Sequence, residues 1–308
     1  MAKVTAQMVK ALREKTGAGM MDCKKALVEA NGDEEKAIEI LRKKGLAKAA
    51  KKADRNAAEG RVELHLSPDY RQGALVEINC ETDFVAKTDE FVEFVQETVK
   101  FINTNDIADV NALLGAQFGE EGVFEEVLKT KIAKIGENIV VRRIAIIKAP
   151  ENGIVNGYIH AGGRVGVLVA AKCDKPETCD AIKETLRDIA MHIAAMKPQF
   201  LSPETVPADV LEKEKEIAKA QLLKEGKPEH IIDKIIPGKL KKFYQENCLT
   251  EQEYVKAENK ESVKDALAQV AKKVGGTAQL VDFVRFEVGE GLVKTGCNIA
   301  EEVSKALS

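Results

Sequence analysis

The fold is decided by a short apolar stretch that occurs twice. Residues 73–80 read GALVEINC, and residues 60–66, GRVELHL, alternate with the period of two that a half-buried strand shows. At a constant offset of 93 residues the pattern returns without a gap, with the identities Gly60/Gly153, Val62/Val155, Gly73/Gly166, Leu75/Leu168, Val76/Val169 and Cys80/Cys173. Self-similarity of this kind indicates a duplicated β-hairpin.

Each hairpin leads into a helix and later into another strand. Apolar residues recur at helical spacing from Phe91 to Ile102 in the first copy and from Ile182 to Ile193 in the second. Residues 138–146 and 280–288 predict the third strands. Because a two-stranded hairpin is unstable alone, we expect an α+β fold with two repeated subdomains, each an antiparallel sheet with helices.

The segment before the repeat predicts a three-helix bundle. Thr5 is suited to cap a first helix, residues 16–19 (TGAG) break it, and Asp33 follows an Asn-Gly stop and caps a third helix. So small a bundle buries little apolar area, so we expect it to offer a helical surface to something else.

The second copy is interrupted by a charged segment with two helical stripes. The first stripe includes Leu211 and Leu222, the second includes Ile232 and Phe243, and a Gly-Lys-Pro turn at 226–228 separates them. This pattern predicts an antiparallel coiled-coil hairpin with a narrow apolar seam. A structural arm, a self-association surface and a partner contact are all open for it.

These observations predict five segments. A three-helix N-terminal domain with a basic connector spans residues 1–55, and a first core subdomain spans 56–148. A second core subdomain is in two pieces, 149–197 and 262–290, with the helical hairpin inserted at 198–261. A C-terminal module follows at 291–308.

Composition excludes several functional classes. The 308 residues carry a net charge of −3, and no apolar run reaches the roughly 20 residues of a membrane span. The start of the chain runs directly into a capped helix, so we expect no targeting segment and a cytoplasmic protein. Six cysteines at scattered spacings form no C-x-x-C motif, which favours free thiols over a zinc or redox site.

No motif for catalysis or cofactor binding stands out. Residues 289–295 (GEGLVKT) lack the Gly before Lys that a phosphate loop needs, and the four histidines show no H-E-x-x-H spacing. No nucleophile signature is present. We therefore expect a protein that is not an enzyme, with no cofactor and no metal.

The N-terminal region has a basic excess that needs an explanation. Residues 1–55 hold fourteen Lys and Arg against eight Asp and Glu. Contact with nucleic acid is one interpretation, but aromatic residues are not interleaved and the lysines spread around the helix. A solvated helix face is favoured, and we expect no direct nucleic-acid partner.

The most informative motif lies where the second strand gives way to a helix, at Thr82-Asp83-Phe84-Val85. One interpretation is structural, with Asp83 capping the next helix and Phe84 in the core. Against it, the following helix already fills its core-facing positions, and the second copy has Pro176-Glu177 at the matching place. The fold evidently needs no aromatic there, which favours a functional role.

Several motifs together resemble those of the elongation factor Ts family. They are LREKTGAGMMDCKKAL at residues 12–27, CETDFVA at 80–86, IGENI at 135–139, MHIAA at 191–195 and RFEVGEG at 285–291. The resemblance covers essentially the whole chain, and the first two motifs are highly specific. It implies a ubiquitin-associated-like N-terminal domain and a guanine-nucleotide exchange factor whose partner is elongation factor Tu.

The resemblance also implies contact residues. Leu12, Arg13, Met20 and Met21 would dock on the G domain of the GTPase, and Thr82, Asp83, Phe84 and Val85 would disturb its nucleotide and Mg²⁺ site. The surface around His160 would face another domain of the partner. Ile299 and Val303 in the last helix would also touch the G domain, although residues 294–303 lack the aromatic expected there. A homodimer or a heterotetramer with the partner is left open.

Two other classes of function compete with this hypothesis. A helical adaptor would use the N-terminal bundle to capture peptides or ubiquitin-like proteins. A nucleic-acid-associated protein would use the basic residues 1–55, and its affinity would fall steeply with salt.

Overall fold

In the computed structural model, residues 4–257 and 259–292 are described, and they begin with three helices. These are α1 (Ala6–Thr16), α2 (Met20–Glu29) and α3 (Glu34–Ala50). The Thr5 and Asp33 side chains cap α1 and α3 by accepting hydrogen bonds from the Met8 and Lys36 amides. Val9, Leu12, Cys23, Ala26, Leu27, Ala30 and Ala37 form the core. The predicted three-helix bundle is confirmed, and α3 runs on through part of the predicted connector.

Two three-stranded antiparallel sheets follow the predicted repeat. The first has the order β1-β2-β3 and the second the order β4-β5-β6. Their strands are β1 (Glu59–Leu66), β2 (Gln72–Cys80), β3 (Val140–Lys148), β4 (Gly153–His160), β5 (Val165–Cys173) and β6 (Ala278–Glu287). The bounds of β2 and β5 are related by the offset of 93 residues that the sequence shows, so the α+β fold with a duplicated sheet is confirmed.

Four helices lie between β2 and β3. They are α4 (Asp83–Ala86), α5 (Asp89–Asn105), α6 (Val110–Gly115) and α7 (Phe124–Ile135). The buried face of α5 includes Phe91 and Phe94, and the ring of Phe94 stacks on that of Phe124 with centroids 5.9 Å apart. Thr88 caps α5 by accepting a hydrogen bond from the Phe91 amide.

The second sheet is covered by α8 (Pro176–Met196), whose predicted apolar positions are buried against β4 and β5. The inserted segment forms α9 (Ala208–Lys224) and α10 (Glu229–Asn247), with Gly226 in the left-handed region at the turn. Ala218, Leu222 and Ile232 are buried in the hairpin, which confirms the predicted seam. Helix α11 (Val263–Lys273) then packs on α8 and β6.

The chain divides into two compact units. In the described residues, one unit comprises the chain up to Arg61, Val76–Ile144 and the residues from Val288 on, and the other comprises Val62–Leu75 and Ala145–Glu287. The five segments predicted from the sequence are a finer division and stay a prediction. Across the described ranges, no helix combines the length and hydrophobicity that crossing a bilayer requires.

Candidate partner-binding site

Phe84 is presented on a single helical turn between β2 and α5. Its side chain is 79% exposed, more than any other large hydrophobic side chain in residues 4–257 and 259–292. Phe91 and Phe94, by contrast, are fully buried. The interpretation of Phe84 as a core residue is therefore wrong, because the core of this unit is filled without it.

The turn that carries Phe84 is built by its neighbours. Thr82 has extended backbone geometry, and its hydroxyl accepts a hydrogen bond from the Val85 amide at 3.3 Å, which caps α4. The Cys80 thiol donates to the Thr82 carbonyl at 3.1 Å. Val85 is half-buried beside Phe84. Capping satisfies an amide that a helix start leaves unpaired, which favours this single turn.

A carboxylate from another part of the chain holds the start of this turn. Glu137 Oε2 accepts hydrogen bonds from the backbone amides of Glu81 and Thr82, both at 3.0 Å. Its Oε1 accepts a third from the Thr82 hydroxyl at 2.6 Å. Sequence reasoning missed this residue; it lies in the family-like block at 135–139, but nothing in local periodicity pairs it with Thr82.

Asp83 is the first residue of α4 and does not cap α5, a role that Thr88 has instead. The Asp83 carboxylate accepts a hydrogen bond from the Lys87 ammonium at 2.6 Å in a surface i,i+4 ion pair. Exposed pairs of this kind contribute little to folding stability. The pair of Asp83 and Lys87 therefore adds little to folding, which leaves a role of the Asp83 charge in partner binding open.

The N-terminal bundle offers a second apolar surface. Met20 and Met21 on α2 are 45% and 61% exposed, and Arg13 on α1 is exposed. Leu12 is fully buried in the bundle core, where its side chain holds α1 in place, and its expected contact with a partner stays a prediction. Val28, which sequence reasoning missed, is 55% exposed and follows Met21 by two helical turns.

The remaining predicted contact residues lie elsewhere. His160 ends β4 in the second unit and is exposed, and its Nδ1 lies 3.1 Å from the Tyr158 hydroxyl. Ile299 and Val303 lie outside the described residues.

Two buried cysteines, Cys80 and Cys248, are unsuited to nucleophilic chemistry. Burial raises the pKa of Cys80 to about 12, with the nearby Glu137 charge adding to the effect, and burial raises the pKa of Cys248 to about 11. Both thiols are therefore protonated near neutral pH, and it is the thiolate that reacts. Among the residues that the structure describes, no group of three or more His, Cys, Asp or Glu is placed to hold a metal ion.

A cavity of about 490 Å³ lies in the first unit beside α3 and α7. Its lining includes two ion pairs, the Lys48 to Asp22 contact of 2.8 Å and the Arg42 to Glu126 pair. Because these charges already have partners within the chain, the exposed surfaces described above are the stronger candidate site.

Fold and site together define an α+β protein that presents an exposed aromatic turn, a type of site suited to contact with another protein. The family model described as "Elongation factor TS" matches residues 81–290. "Elongation factor Ts" of Nautilia profundicola is 78% identical over 308 residues, which cover 100% of both chains. That of Nitratiruptor sp. is 54% identical over 301 residues, and that of Clostridium perfringens 50% over 302, each covering 98% of both chains. The chain belongs to the elongation factor Ts family and is thus a factor of translation elongation.

Proposed function

We propose that this chain is a guanine-nucleotide exchange factor that binds elongation factor Tu in its GDP form and promotes GDP release, so that GTP can rebind. The observation that carries the proposal is the exposure of Phe84, which is 79% exposed at the end of a buried strand. Family membership supports the choice of partner, because the matched region, residues 81–290, includes this turn.

The physics of exchange fits a site without catalytic groups. A GTPase holds its nucleotide through backbone amides, a lysine and a bridging Mg²⁺. Exchange makes and breaks no covalent bond, so the factor needs neither a nucleophile nor a cofactor. It must bind the nucleotide-free partner more tightly than the loaded partner, and reciprocity then weakens nucleotide binding by the same factor.

The residues divide into a wedge and its supporting contacts. Phe84 inserts into the partner and displaces the elements that position the metal and phosphates. Asp83 adds a negative charge close to that site, while Thr82 and Val85 shape the turn. Such an insertion is effective only if the aromatic is already outside its own core, as Phe84 is.

The other surfaces hold the partner during insertion. Arg13, Met20 and Met21 form an exposed contact on the N-terminal bundle, which the fully buried Leu12 supports from within. His160 supplies a contact from the second unit. Ile299 and Val303 complete the proposed set. The stoichiometry, a homodimer or a heterotetramer with the partner, is measurable by light scattering of the purified complex.

Release of a fluorescent GDP analogue from elongation factor Tu tests the proposal. Substoichiometric amounts of this protein should accelerate release, and Phe84→Ala should abolish most of the acceleration. Met196→Ala is a matched control, because Met196 is an exposed apolar residue on α8, remote in sequence from the turn. A release rate that does not respond to the wild-type protein would refute the function.

A further inference from the structure

We propose that Glu137 is a positioning residue for exchange: its carboxylate fixes the backbone that leads into α4 and thereby holds Phe84 in its exposed orientation. The inference rests on the proposed function and names a residue through which that function is achieved. Glu137 touches neither nucleotide nor metal in this scheme, and it acts only through the turn.

The contacts of Glu137 converge on one point of the chain. Its two oxygens accept three hydrogen bonds, from the Glu81 amide, the Thr82 amide and the Thr82 hydroxyl, at 3.0, 3.0 and 2.6 Å. Hydrogen bonds to an ionised acceptor are about twice as strong as neutral ones. All three groups immediately precede α4, so the direction in which the turn starts is set by this side chain.

The arrangement is reciprocal, which fixes the position of Glu137 itself. The amide of Asn138 donates to Glu81 Oε1 at 2.6 Å, so the two segments exchange hydrogen bonds in both directions. Asn138 is nearly fully buried, and its Nδ2 donates to the carbonyls of Ala53 and Arg55 at 3.2 and 2.8 Å. The carboxylate that holds the turn is thus anchored to the segment that follows α3.

An external anchor is needed because the turn cannot hold Phe84 by itself. Helix α4 has only four residues, and so short a helix is not stable without tertiary contacts. The exposed Phe84 ring gains little from packing against its own chain, and burying it elsewhere would be favourable. Without the anchor, the turn would populate other conformations, and the rate of insertion would fall with the fraction that remains competent.

Substitutions of Glu137 test this role in the GDP-release assay with the full-length protein. Glu137→Ala should lower the maximal release rate at saturating factor by about tenfold, the size expected when a charge-assisted hydrogen-bond network is lost. Glu137→Gln should retain most of the activity, because its amide oxygen can accept the two backbone hydrogen bonds and its NH₂ group can face the Thr82 hydroxyl. Glu93→Ala, on the exposed face of α5, is the matched control and should match the wild type.

A double-mutant cycle separates positioning from general support of the fold. In a Phe84→Ala background, Glu137→Ala should cause no further loss, because a residue that acts only through the ring has nothing left to position. A full additional loss in that background, or wild-type activity of Glu137→Ala alone, would overturn the proposal. If circular dichroism shows that Glu137→Ala does not fold, the same cycle is measured with substitutions of Thr82. Thr82→Val removes the hydroxyl that donates to Glu137, and Thr82→Ser keeps it.

Amide hydrogen exchange gives a readout that does not depend on the partner. Glu137→Ala should speed exchange at the Glu81 and Thr82 amides and leave the buried α5 amide of Val95 protected. Unchanged exchange at Glu81 and Thr82 would contradict the role of Glu137 even if GDP release is confirmed. Conversely, if wild-type protein does not accelerate release, the proposed function fails, whatever the amides show.

Discussion

Gly73 and Gly166 occupy equivalent positions in the two repeats, and each leaves room for side chains of the other repeat. A Cβ at Gly73 would lie 2.9 Å from Leu168 Cδ2 and 3.1 Å from Val155 Cγ1. A Cβ at Gly166 would lie 2.8 Å from Leu75 Cδ1 and would also meet Val62 Cγ1, which together are the equivalent pair in the first repeat. The contact is therefore reciprocal, as at the two-fold axis of a symmetric dimer, but within one chain.

Enlarging either glycine should destabilise the protein. Gly73→Ala and Gly166→Ala each force a methyl group into packed side chains, and overpacking of this kind costs about 1–3 kcal/mol. Thermal unfolding measures the change. Gly238→Ala is the control, because a Cβ there meets nothing within 4 Å and alanine favours the helix, so its melting temperature should stay the same or rise. Equal melting temperatures for all three variants would contradict the reciprocal packing.

Phe84 and Phe91 should respond oppositely to truncation. Phe84→Ala should change the free energy of unfolding by less than about 0.5 kcal/mol because the ring is 79% exposed. Phe91→Ala should cost about 3–5 kcal/mol because that ring is fully buried. Chemical denaturation compares the two variants, and GDP release should show the larger defect for Phe84→Ala at temperatures where both are folded. A large loss of stability in Phe84→Ala would mean that the ring packs on its own chain.

Glu77 should be essential to the stability of the first unit. Its buried carboxylate accepts hydrogen bonds from Arg142 Nη1 at 2.9 Å, Arg143 Nε at 2.6 Å and the Gly289 amide at 2.8 Å. Glu77→Ala should cost about 3 kcal/mol, the low end for a broken buried pair, because the two arginine side chains remain 22% and 27% exposed to water. Urea unfolding measures the effect, with the exposed Glu97→Ala as the control. If both variants unfold at the same urea concentration, the cluster is not stabilising.

His192 should make the protein sensitive to mild acid. It is fully buried; its Nε2 lies 2.9 Å from Gln252 Oε1, and its Nδ1 accepts a hydrogen bond from the Val255 amide at 3.2 Å. Burial lowers the pKa of His192 from its ordinary value of 6.5. Between that lowered pKa and 6.5 the unfolded chain binds more protons than the folded chain, so stability should fall as the pH falls below 6.5.

His192→Gln tests the assignment, because glutamine cannot take up a proton in this range. The variant should be less stable than the wild type at pH about 7.5, since it disturbs the buried hydrogen bonds. Its melting temperature should nevertheless decline less between pH about 6.5 and 5. Parallel pH profiles for the two proteins would show that another group is responsible.

Local patterns in the sequence predicted most of the fold. The alternation at residues 60–66 and the identities at a fixed offset gave both hairpins, and the helical spacing from Ile182 to Ile193 gave the buried face of α8. In the structure, Leu12 lies on the buried side of α1. The family resemblance alone assigned Leu12 to a partner contact, and that assignment stays a prediction.

Contacts between distant residues were beyond the sequence. Phe84 could be separated from the core because the following helix already had enough core residues and the second repeat lacked the aromatic. Glu137 and Glu77 gave no such signal, because the contacts that define their roles are with residues more than 50 positions away in the chain. Those groups come together only in the folded chain, and a periodic sequence pattern does not predict which carboxylate accepts a hydrogen bond from which amide.

The order of strands has a consequence for synthesis of the chain. Each sheet has its second strand in the centre, but the third strand comes much later in the chain, at Val140 in one sheet and Ala278 in the other. During translation, β5 therefore emerges with one hydrogen-bonding edge unpaired until the whole helical insertion and α11 have followed. An open strand edge is a template for wrong pairing, so nascent chains that stall before Ala278 should be the species most prone to aggregate.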